Sequence, residues 1–408
     1  MPISRRLRPL AFVLAWLSMW SVSMAQTDEL DLPLLIPSVI TPAGRDSDGD
    51  GLPDVWERHG YTVDGVFVDL PAMGANPYHK DLFVWMDYMA QPDGTSLAPS
   101  QTVIDNIKAV FANAPVANPD GTTGIAIHPL LKFQVPFAET LGSAADENKV
   151  WVDFDALKAL HFPAAYAKSF RYMIWANSYD ESTSSGLARD IPATDFLVTL
   201  GLWEPAGGTD WAKLGTFVHE LGHCLGLTHG GSDHDNYKPN YLSVMNYFFQ
   251  ITGLYKNGVW GDLSQNPLLF DYQRIDTPTI DENNLNELAG LGSGVAGYGT
   301  KYYATVSGLV GEYSVADASG SIDWNKNNVY ETGVVADIND DGVCSQLIAQ
   351  NNWPHINYNA GGLLGSAATA AARARADAAP RPDALRHELD FATSRKIADT
   401  RGADRPAN

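Results

Sequence analysis

Residues 216–231, with the sequence TFVHELGHCLGLTHGG, constrain the fold and chemistry of this chain more than any other stretch. On a helix, His219 and His223 are four residues apart and therefore project from the same face, one above the other. Glu220 lies between them, one position around the helix. This spacing allows two imidazoles to hold one Zn²⁺ while the carboxylate meets a water molecule at the metal.

A third ligand is predicted a few residues later. Gly226 can adopt a positive φ, which would end the helix and turn the chain back. His229 is then placed to supply a third nitrogen, and Asp233 and His234 are the nearest alternatives. Three neutral imidazoles leave the fourth coordination position open, as in catalytic zinc sites, whereas structural zinc sites fill it.

Residues 219–229 thus have the pattern HExxHxxGxxH, and residues 243–247 (SVMNY) follow downstream. In these two segments the chain resembles the metzincin zinc metalloproteases, although the branch of the family stays open. The resemblance implies a Met-turn with Met245 beneath the metal. It also implies that Tyr247 is a switchable ligand or a donor to the oxyanion. Without the upstream motif, both would be core residues of a buried turn.

The resemblance further implies an α+β fold, with a twisted, mostly parallel sheet, helices above the cleft and an irregular lower subdomain that contains the Met-turn. Protein or peptide substrates would bind as an extended strand along a sheet edge. Zn²⁺ would activate a water molecule, and Glu220 would act as general base in peptide hydrolysis. No Cys precedes the zinc motif, so a cysteine switch from that side is excluded. An acidic residue or the tail could serve instead.

Residues 1–25 have the organisation of a signal peptide. Basic residues precede an apolar run over residues 10–20 that is too short to span a bilayer, and Ser23-Met24-Ala25 fits a cleavage site. No later stretch is long and apolar enough for a membrane span, so we expect a secreted or periplasmic protein. The net charge of −21 argues against nucleic acid as a partner. The oligomeric state stays open.

Residues 46–57 (DSDGDGLPDVWE) have the spacing of an EF-hand calcium loop, with Gly51 at the sharp turn. The predicted Ca²⁺ ligands are Asp46, Asp48, Asp50, the carbonyl of Leu52, Asp54 and Glu57. A second Asx-rich region contains Asp323, Asn325, Asn327, Asp337, Asn339 and Asp341, but neither run carries an acid at position twelve. Calcium or plain turns would explain this second region equally well.

The sequence divides into a signal peptide (1–25), a segment with the calcium loop (26–60), a protease-like domain (61–315), an Asp/Asn-rich region (316–350) and a tail (365–408). The tail is rich in Ala and Arg, which favours disorder or a loose helix. We assign no chemistry to its His387-Glu388 pair, because no second His accompanies it. Cys224 and Cys344 could form one disulfide or remain two thiols.

Local patterns also predict individual elements. Strands are expected over 66–70, 82–88, 124–127, 171–177 and 196–200, and helices after Pro99, over 154–160 and near 281–291. Thr209 or Asp210 is the expected N-cap of the zinc helix.

A second class of function competes with the peptidase. The chain could be an exported calcium-binding adhesion or interaction protein whose zinc site is vestigial or structural. Glu220 argues against this reading, because a purely structural site does not need a carboxylate at that position. A fourth protein ligand on the zinc would favour it.

Overall fold

The computed structural model describes residues 44–146, 148–261, 266–379, 382, 385 and 388–399. The expected signal peptide and residues 26–43 lie outside this part. The α-helices in the described part are α1 (Asp54–His59), α2 (Gln101–Ala112), α3 (Lys149–His161), α4 (Asp210–Cys224), α5 (Tyr247–Gln250), α6 (Ala370–Asp377) and α7 (Phe391–Asp399). The strands are β1 (Tyr61–Val63), β2 (Val66–Val68), β3 (Asp81–Tyr88), β4 (Ala126–Gln134), β5 (Phe170–Trp175), β6 (Gly186–Ala188), β7 (Asp195–Val198), β8 (Tyr255–Lys256), β9 (Val259–Trp260), β10 (Ile280–Asp281), β11 (Leu285–Asn286), β12 (Thr300–Val306), β13 (Leu309–Val315), β14 (Thr332–Val334) and β15 (Gln346–Leu347).

A five-stranded sheet in the order β4-β3-β5-β7-β6 forms the centre of the fold. β3 runs parallel to β4 and β5, and β5 runs parallel to β7, whereas the edge strand β6 is antiparallel to β7. Every residue of β5 is buried, including Arg171, since both faces of the strand are covered. The chain is therefore an α+β protein with a mixed central sheet.

The zinc-motif helix α4 packs against the edge of this sheet and against α2. It begins at Thr209, whose hydroxyl accepts a hydrogen bond from the Ala212 N–H at 3.2 Å, so Thr209 and not Asp210 is the N-cap. From Ala212 to its last residue the helix is buried. This burial fixes the direction of each side chain that α4 carries.

Most of the predicted strands are present, but the helix expected near 281–291 is not. The structure has β10 and β11 there, joined by a turn. Ile280 pairs with Leu347, and Leu285 pairs with Val334, so strands from later in the sequence determine the local structure. The turn between them contains Asn283, whose N–H donates to the Asp281 carboxylate, as turn-forming residues do.

The tail over 365–408, for which the sequence predicted disorder or a loose helix, forms α6 and α7 where it is described. α6 has no buried residue, but α7 and the residues before it contribute buried apolar side chains, Leu385, Leu389 and Ile397. Leu389 and Ile397 pack with Tyr247 in a small cluster that is separate from the two larger cores. A few well-placed apolar residues thus order a segment whose average composition is polar.

Arg189, directly after β6, connects the sheet to the tail. Its guanidinium binds the carboxylate of Asp155 on α3, lies 3.3 Å from the carboxylate of Asp195, and donates to the carbonyl of Asp377 at 3.2 Å. Arg189 is buried, so these charges are only weakly screened by water. Within the described residues, no helix is long and apolar enough to cross a membrane.

Gly215 allows α4 to approach the chain after the Met-turn. A Cβ at this position would overlap the carbonyl oxygen of Gln250. We expect Gly215→Ala to lower the stability by about 1–3 kcal/mol in thermal unfolding, because a backbone carbonyl cannot rotate away. Gly294→Ala is the control, since a Cβ there meets no heavy atom within 4 Å. Equal melting temperatures for the two variants would contradict this close approach.

Candidate metal centre

The C-terminus of α4 is built as the sequence predicts. Gly226 has φ 91°, its N–H donates to the carbonyl of His223 at 2.9 Å, and the Leu227 N–H donates to the carbonyl of Gly222 at 2.9 Å. This pair of bonds is the Schellman arrangement, which a left-handed glycine permits. The chain therefore reverses, and His229 returns to the two helix histidines.

Two backbone carbonyls orient the helix histidines. Nδ1 of His219 lies 2.8 Å from the carbonyl oxygen of Val244, and Nδ1 of His223 lies 2.8 Å from that of Leu227. Because a carbonyl can only accept, we assign the proton to Nδ1 in both rings. Each Nε2 then presents a lone pair to the interior, as in a metal-binding imidazole.

The Nε2 atoms of the three histidines converge. Nε2 of His223 lies 3.1 Å from that of His219 and 3.0 Å from that of His229. Burial together with the neighbouring His229 and His219 holds the pKa of His223 well below its usual range, and burial also lowers that of His229. Neutral imidazoles whose lone pairs face one another at this distance suit a shared cation.

Glu388 lies against all three rings, which the sequence did not predict. Its Oε2 is 3.3 Å from Nε2 of His219, and its Oε1 is 3.7 Å from Nε2 of His223 and 3.6 Å from that of His229. The four side chains form a buried group that could hold a metal ion. Three imidazoles and one carboxylate are a donor set that suits zinc.

The predicted Met-turn lies beside the helix. Met245 is fully buried, and a Cβ on Gly222 would overlap its sulfur, so the glycine of the HELGH motif leaves room for this side chain. The turn is held by the Val244 N–H, which donates to the carbonyl of Asp271 at 3.0 Å. Val244 also supplies the carbonyl that orients His219, so the turn helps to set the geometry of the metal centre.

Glu220 and Tyr247 occupy different surroundings at this centre. Glu220 is completely buried, and neither carboxylate oxygen forms a well-aligned hydrogen bond with the described residues. Burial, and then the charge of Glu388, raise the pKa of Glu220 well above its usual value. The hydroxyl of Tyr247, predicted to face the metal or an oxyanion, donates to Oε2 of Glu388 at 2.9 Å.

Other nearby candidates are directed elsewhere. Asp233 pairs with Lys238, and His234 is exposed, so His229 is the third histidine of the group. Cys224 is buried, Cys344 is half-buried, and both are free thiols, so the two do not form the disulfide that the sequence left open.

His229→Ala tests whether this residue binds the metal. Removing one of the converging nitrogens should weaken zinc retention by about a hundredfold or more, measured as zinc content after dialysis against a graded chelator. His234→Ala is the matched control and should retain zinc like the wild type. Equal zinc retention by both variants would show that His229 is not a ligand.

A second group of acids is formed by the loop before α1. The carboxylates of Asp46, Asp48 and Asp50 lie within metal-sharing distance, and a further group joins Asp50, Glu57 and Asp81. Asp81 begins β3, and its N–H donates to the Asp50 carboxylate at 2.7 Å. The sequence pattern did not reveal Asp81, because it lies far outside the loop.

The predicted ligands Asp54 and Leu52 lie outside these two acidic groups. The carboxylate of Asp54 accepts hydrogen bonds from the N–H of Ser47 at 2.7 Å and from Arg58 at 3.2 Å. The role of Asp54 as a Ca²⁺ ligand stays a prediction. Leu52 is buried in the main core beside the loop.

Glu57 is the strongest sign of a cation in the loop. It is only 1% exposed, and neither of its carboxylate oxygens has a hydrogen-bond partner in the described part of the chain. Burial and the charges of Asp50 and Asp48 raise the pKa of Glu57 to about 10. Buried carboxylates without donors are costly unless a cation lies between them, and hard oxygen ligands suit Ca²⁺.

The second Asx-rich region forms two loops of similar construction. Asp323 accepts from the Asn327 N–H at 3.1 Å, and Asp337 accepts from the Gly342 N–H at 2.8 Å. Each loop is also closed by a buried glutamate from the β10–β11 segment, Glu287 or Glu282, which accepts backbone hydrogen bonds from it. The other members of the pattern are Asn325, Asn339 and Asp341. Hydrogen bonds within the loops account for this pattern, and calcium there stays a prediction.

Comparison with known proteins does not assign the chain to a family. No protein-family model matches it, and no curated protein is significantly similar to it. The function must therefore be inferred from the side chains that the fold brings together.

Removing calcium should destabilise the wild type much more than Glu57→Gln. Calcium at one hundred times its dissociation constant should raise the free energy of unfolding of the wild type by about 2.7 kcal/mol. The same calcium concentration should raise that of the variant much less. Without calcium, the pKa of Glu57 is raised from its usual value of 4.5 to about 10, so the protonated side chain contributes its full stability below about pH 4.5. This contribution is lost as the pH rises toward 10.

Thermal unfolding therefore has a clear expected pattern. In the absence of calcium, Glu57→Gln should melt above the wild type, and the gap should widen between about pH 5 and about pH 8. Addition of calcium should reverse the order of the two proteins. Identical calcium responses would exclude Glu57 as a ligand.

Proposed function

We propose that this chain is an exported, metzincin-like zinc endopeptidase, with His219, His223 and His229 as metal ligands and Glu220 as general base. The observation that carries this proposal is Glu220 itself, a fully buried carboxylate without a well-aligned hydrogen-bond partner in the described part. Burying such a group costs free energy, and a purely structural metal site does not require it.

The chemistry follows from the surroundings of Glu220. Zinc, when bound, would supply a Lewis acid that activates water toward a peptide carbonyl. Glu220 would accept the proton of this water and later transfer it to the leaving amine. The position of Glu220 supports this role, because it is adjacent to His219 on the same buried helix.

The edge strand of the sheet supports binding of an extended peptide. β6 is the edge strand, and its backbone at Gly186 approaches Glu220 so closely that a Cβ there would overlap the carboxylate. A peptide that adds a strand at this edge would place its backbone near both Glu220 and the histidines. Tyr247 would then be close enough to donate to an oxyanion.

The proposal includes a structural calcium ion at residues 46–57 and export from the cell. Glu57, with its two unpaired buried oxygens, supports the calcium ion, and the signal-peptide pattern of residues 1–25 supports export. Calcium would fix the loop against β3 through Asp50 and Asp81, since both belong to the same acidic group. The ion would stabilise the fold and would not react.

One observation favours the second candidate, an exported calcium-binding interaction protein with a structural zinc site. Glu388 completes a group of four protein side chains, and structural zinc sites have four protein ligands. Glu220 opposes this candidate, because a fifth buried ionisable group is then left without a role.

Glu220→Gln separates the two candidates. The variant should retain zinc but lose peptide hydrolysis by about a hundredfold to ten-thousandfold, because the amide cannot accept the proton. Cleavage of an unstructured test protein would be followed with Zn²⁺ and Ca²⁺ present, in the native background and in a Glu388→Gln background. Glu204→Gln, at an exposed glutamate, is the control.

Two outcomes would reject the peptidase. If Glu220→Gln cleaves at the rate of the Glu204→Gln control, the general base is misassigned. If neither background hydrolyses any peptide while zinc is fully bound, the interaction-protein candidate is favoured.

A further inference from the structure

The tail segment, defined here as residues 388–397, lies along the edge strand side of the sheet. The Ser185 N–H donates to the carbonyl of Leu389 at 2.8 Å, and the Phe391 N–H donates to the carbonyl of Thr183 at 3.2 Å. Ser184 and Asp390 form an antiparallel bridge between these two bonds. The tail segment thus pairs with the residues directly before β6, in the manner of an added strand.

This pairing delivers one carboxylate to the metal centre. Glu388 immediately precedes the paired residues and is 5% exposed. Its Oε1 has no hydrogen-bond partner among the described residues, and the nearest imidazole nitrogens, at 3.6 and 3.7 Å, are too far for one. A buried oxygen that faces two imidazole nitrogens and forms no hydrogen bond within the described residues has the position of a ligand atom.

The separations within the group fit coordination of one ion. Ligand atoms about 2.0–2.2 Å from a tetrahedral zinc lie about 3.3–3.6 Å apart. The nitrogen–nitrogen distances are 3.0 and 3.1 Å, and Oε1 of Glu388 lies 3.6 and 3.7 Å from two of the nitrogens. Tyr247 holds the other oxygen through a hydrogen bond of 2.9 Å, which fixes the rotation of the carboxylate.

The buried apolar side chains of the tail segment belong to the small separate cluster, whereas the partly buried Phe391 packs against the main core. Leu389 and Ile397 are these buried side chains, and they pack with Tyr247 in the small separate cluster. The ring of Phe391 packs on Trp203 at 5.3 Å, and Lys301 donates to the carbonyl of Ile397 at 2.8 Å.

We propose that Glu388 is the fourth protein ligand of the metal and that the tail segment is a built-in inhibitor, which closes the site until it is displaced or cut away. This inference rests on the proposed peptidase function. The ligand comes from near the end of the chain and binds by edge pairing, the mode expected of a substrate peptide. With the segment in place, His219, His223 and Glu220 have no exposed surface.

The test uses the full chain loaded with Co²⁺, whose visible absorption reports a change of ligands. Azide is the probe, because it binds only where the metal has an accessible position. Wild type and the Glu204→Gln control should show no spectral change up to millimolar azide. Glu388→Gln should bind azide at least about tenfold more tightly, because the competing intramolecular carboxylate is lost.

A second variant guards against a local folding defect in the first. Leu389→Asp keeps Glu388 but places a charge in the cluster around Tyr247, so the tail segment should dissociate and azide should bind as in Glu388→Gln. Far-ultraviolet circular dichroism would confirm that both variants are folded. Wild-type protein that binds azide as tightly as both variants would overturn the inference.

Peptide cleavage by the zinc-loaded proteins separates this inference from the proposed function. Faster cleavage by Glu388→Gln and Leu389→Asp than by wild type supports both. Azide access without any cleavage supports closure by Glu388 but rejects the peptidase. Equal cleavage by wild type and both variants, with equal azide binding, rejects the inhibitor and keeps the peptidase.

Discussion

Two hydrogen bonds from imidazole Nδ1 atoms to backbone carbonyls determine the metal centre. Each fixes the tautomer of one histidine, so that the unprotonated nitrogen faces inward. One carbonyl belongs to Val244 in the Met-turn and the other to Leu227 in the helix-ending turn. Two separate loops are therefore required before the three nitrogens can converge. The buried helix α4, the positive φ of Gly226 and the missing side chain of Gly222 all serve this convergence.

Two buried glutamates share this centre but differ in their electrostatic surroundings. Burial and the charge of Glu388 raise the pKa of Glu220. Burial also raises the pKa of Glu388, but the positive charge that His229 and His219 carry when protonated outweighs burial and holds that pKa well below its usual range. The surroundings of Glu388 therefore favour a positive charge beside this carboxylate, which a bound cation would supply. The difference arises from position, because both side chains are buried.

The sequence was informative where the relevant residues are close together in the chain. The spacing of the histidines and Gly226 predicted the helix, its end and the third imidazole, because these depend on local backbone geometry. Glu388 was assigned no chemistry because no second His accompanies His387, and its hydrogen-bond partner Tyr247 lies 141 residues earlier in the chain. Asp81 was missed for a similar reason, 31 residues after Asp50. The helix expected near 281–291 failed because β10 and β11 pair with strands that come later in the sequence.

Arg189 attaches the proposed inhibitor to the protein at a point outside the tail segment. By binding Asp377 at the end of α6, it anchors the chain upstream of Glu388 to the body of the protein. A dislodged Glu388 would therefore remain tethered to the protein and would rebind at a high effective concentration. Only scission of the backbone between residues 377 and 388 would release it for good. The tail segment would therefore inhibit the site reversibly while the chain is intact, and cleavage would make the active state permanent.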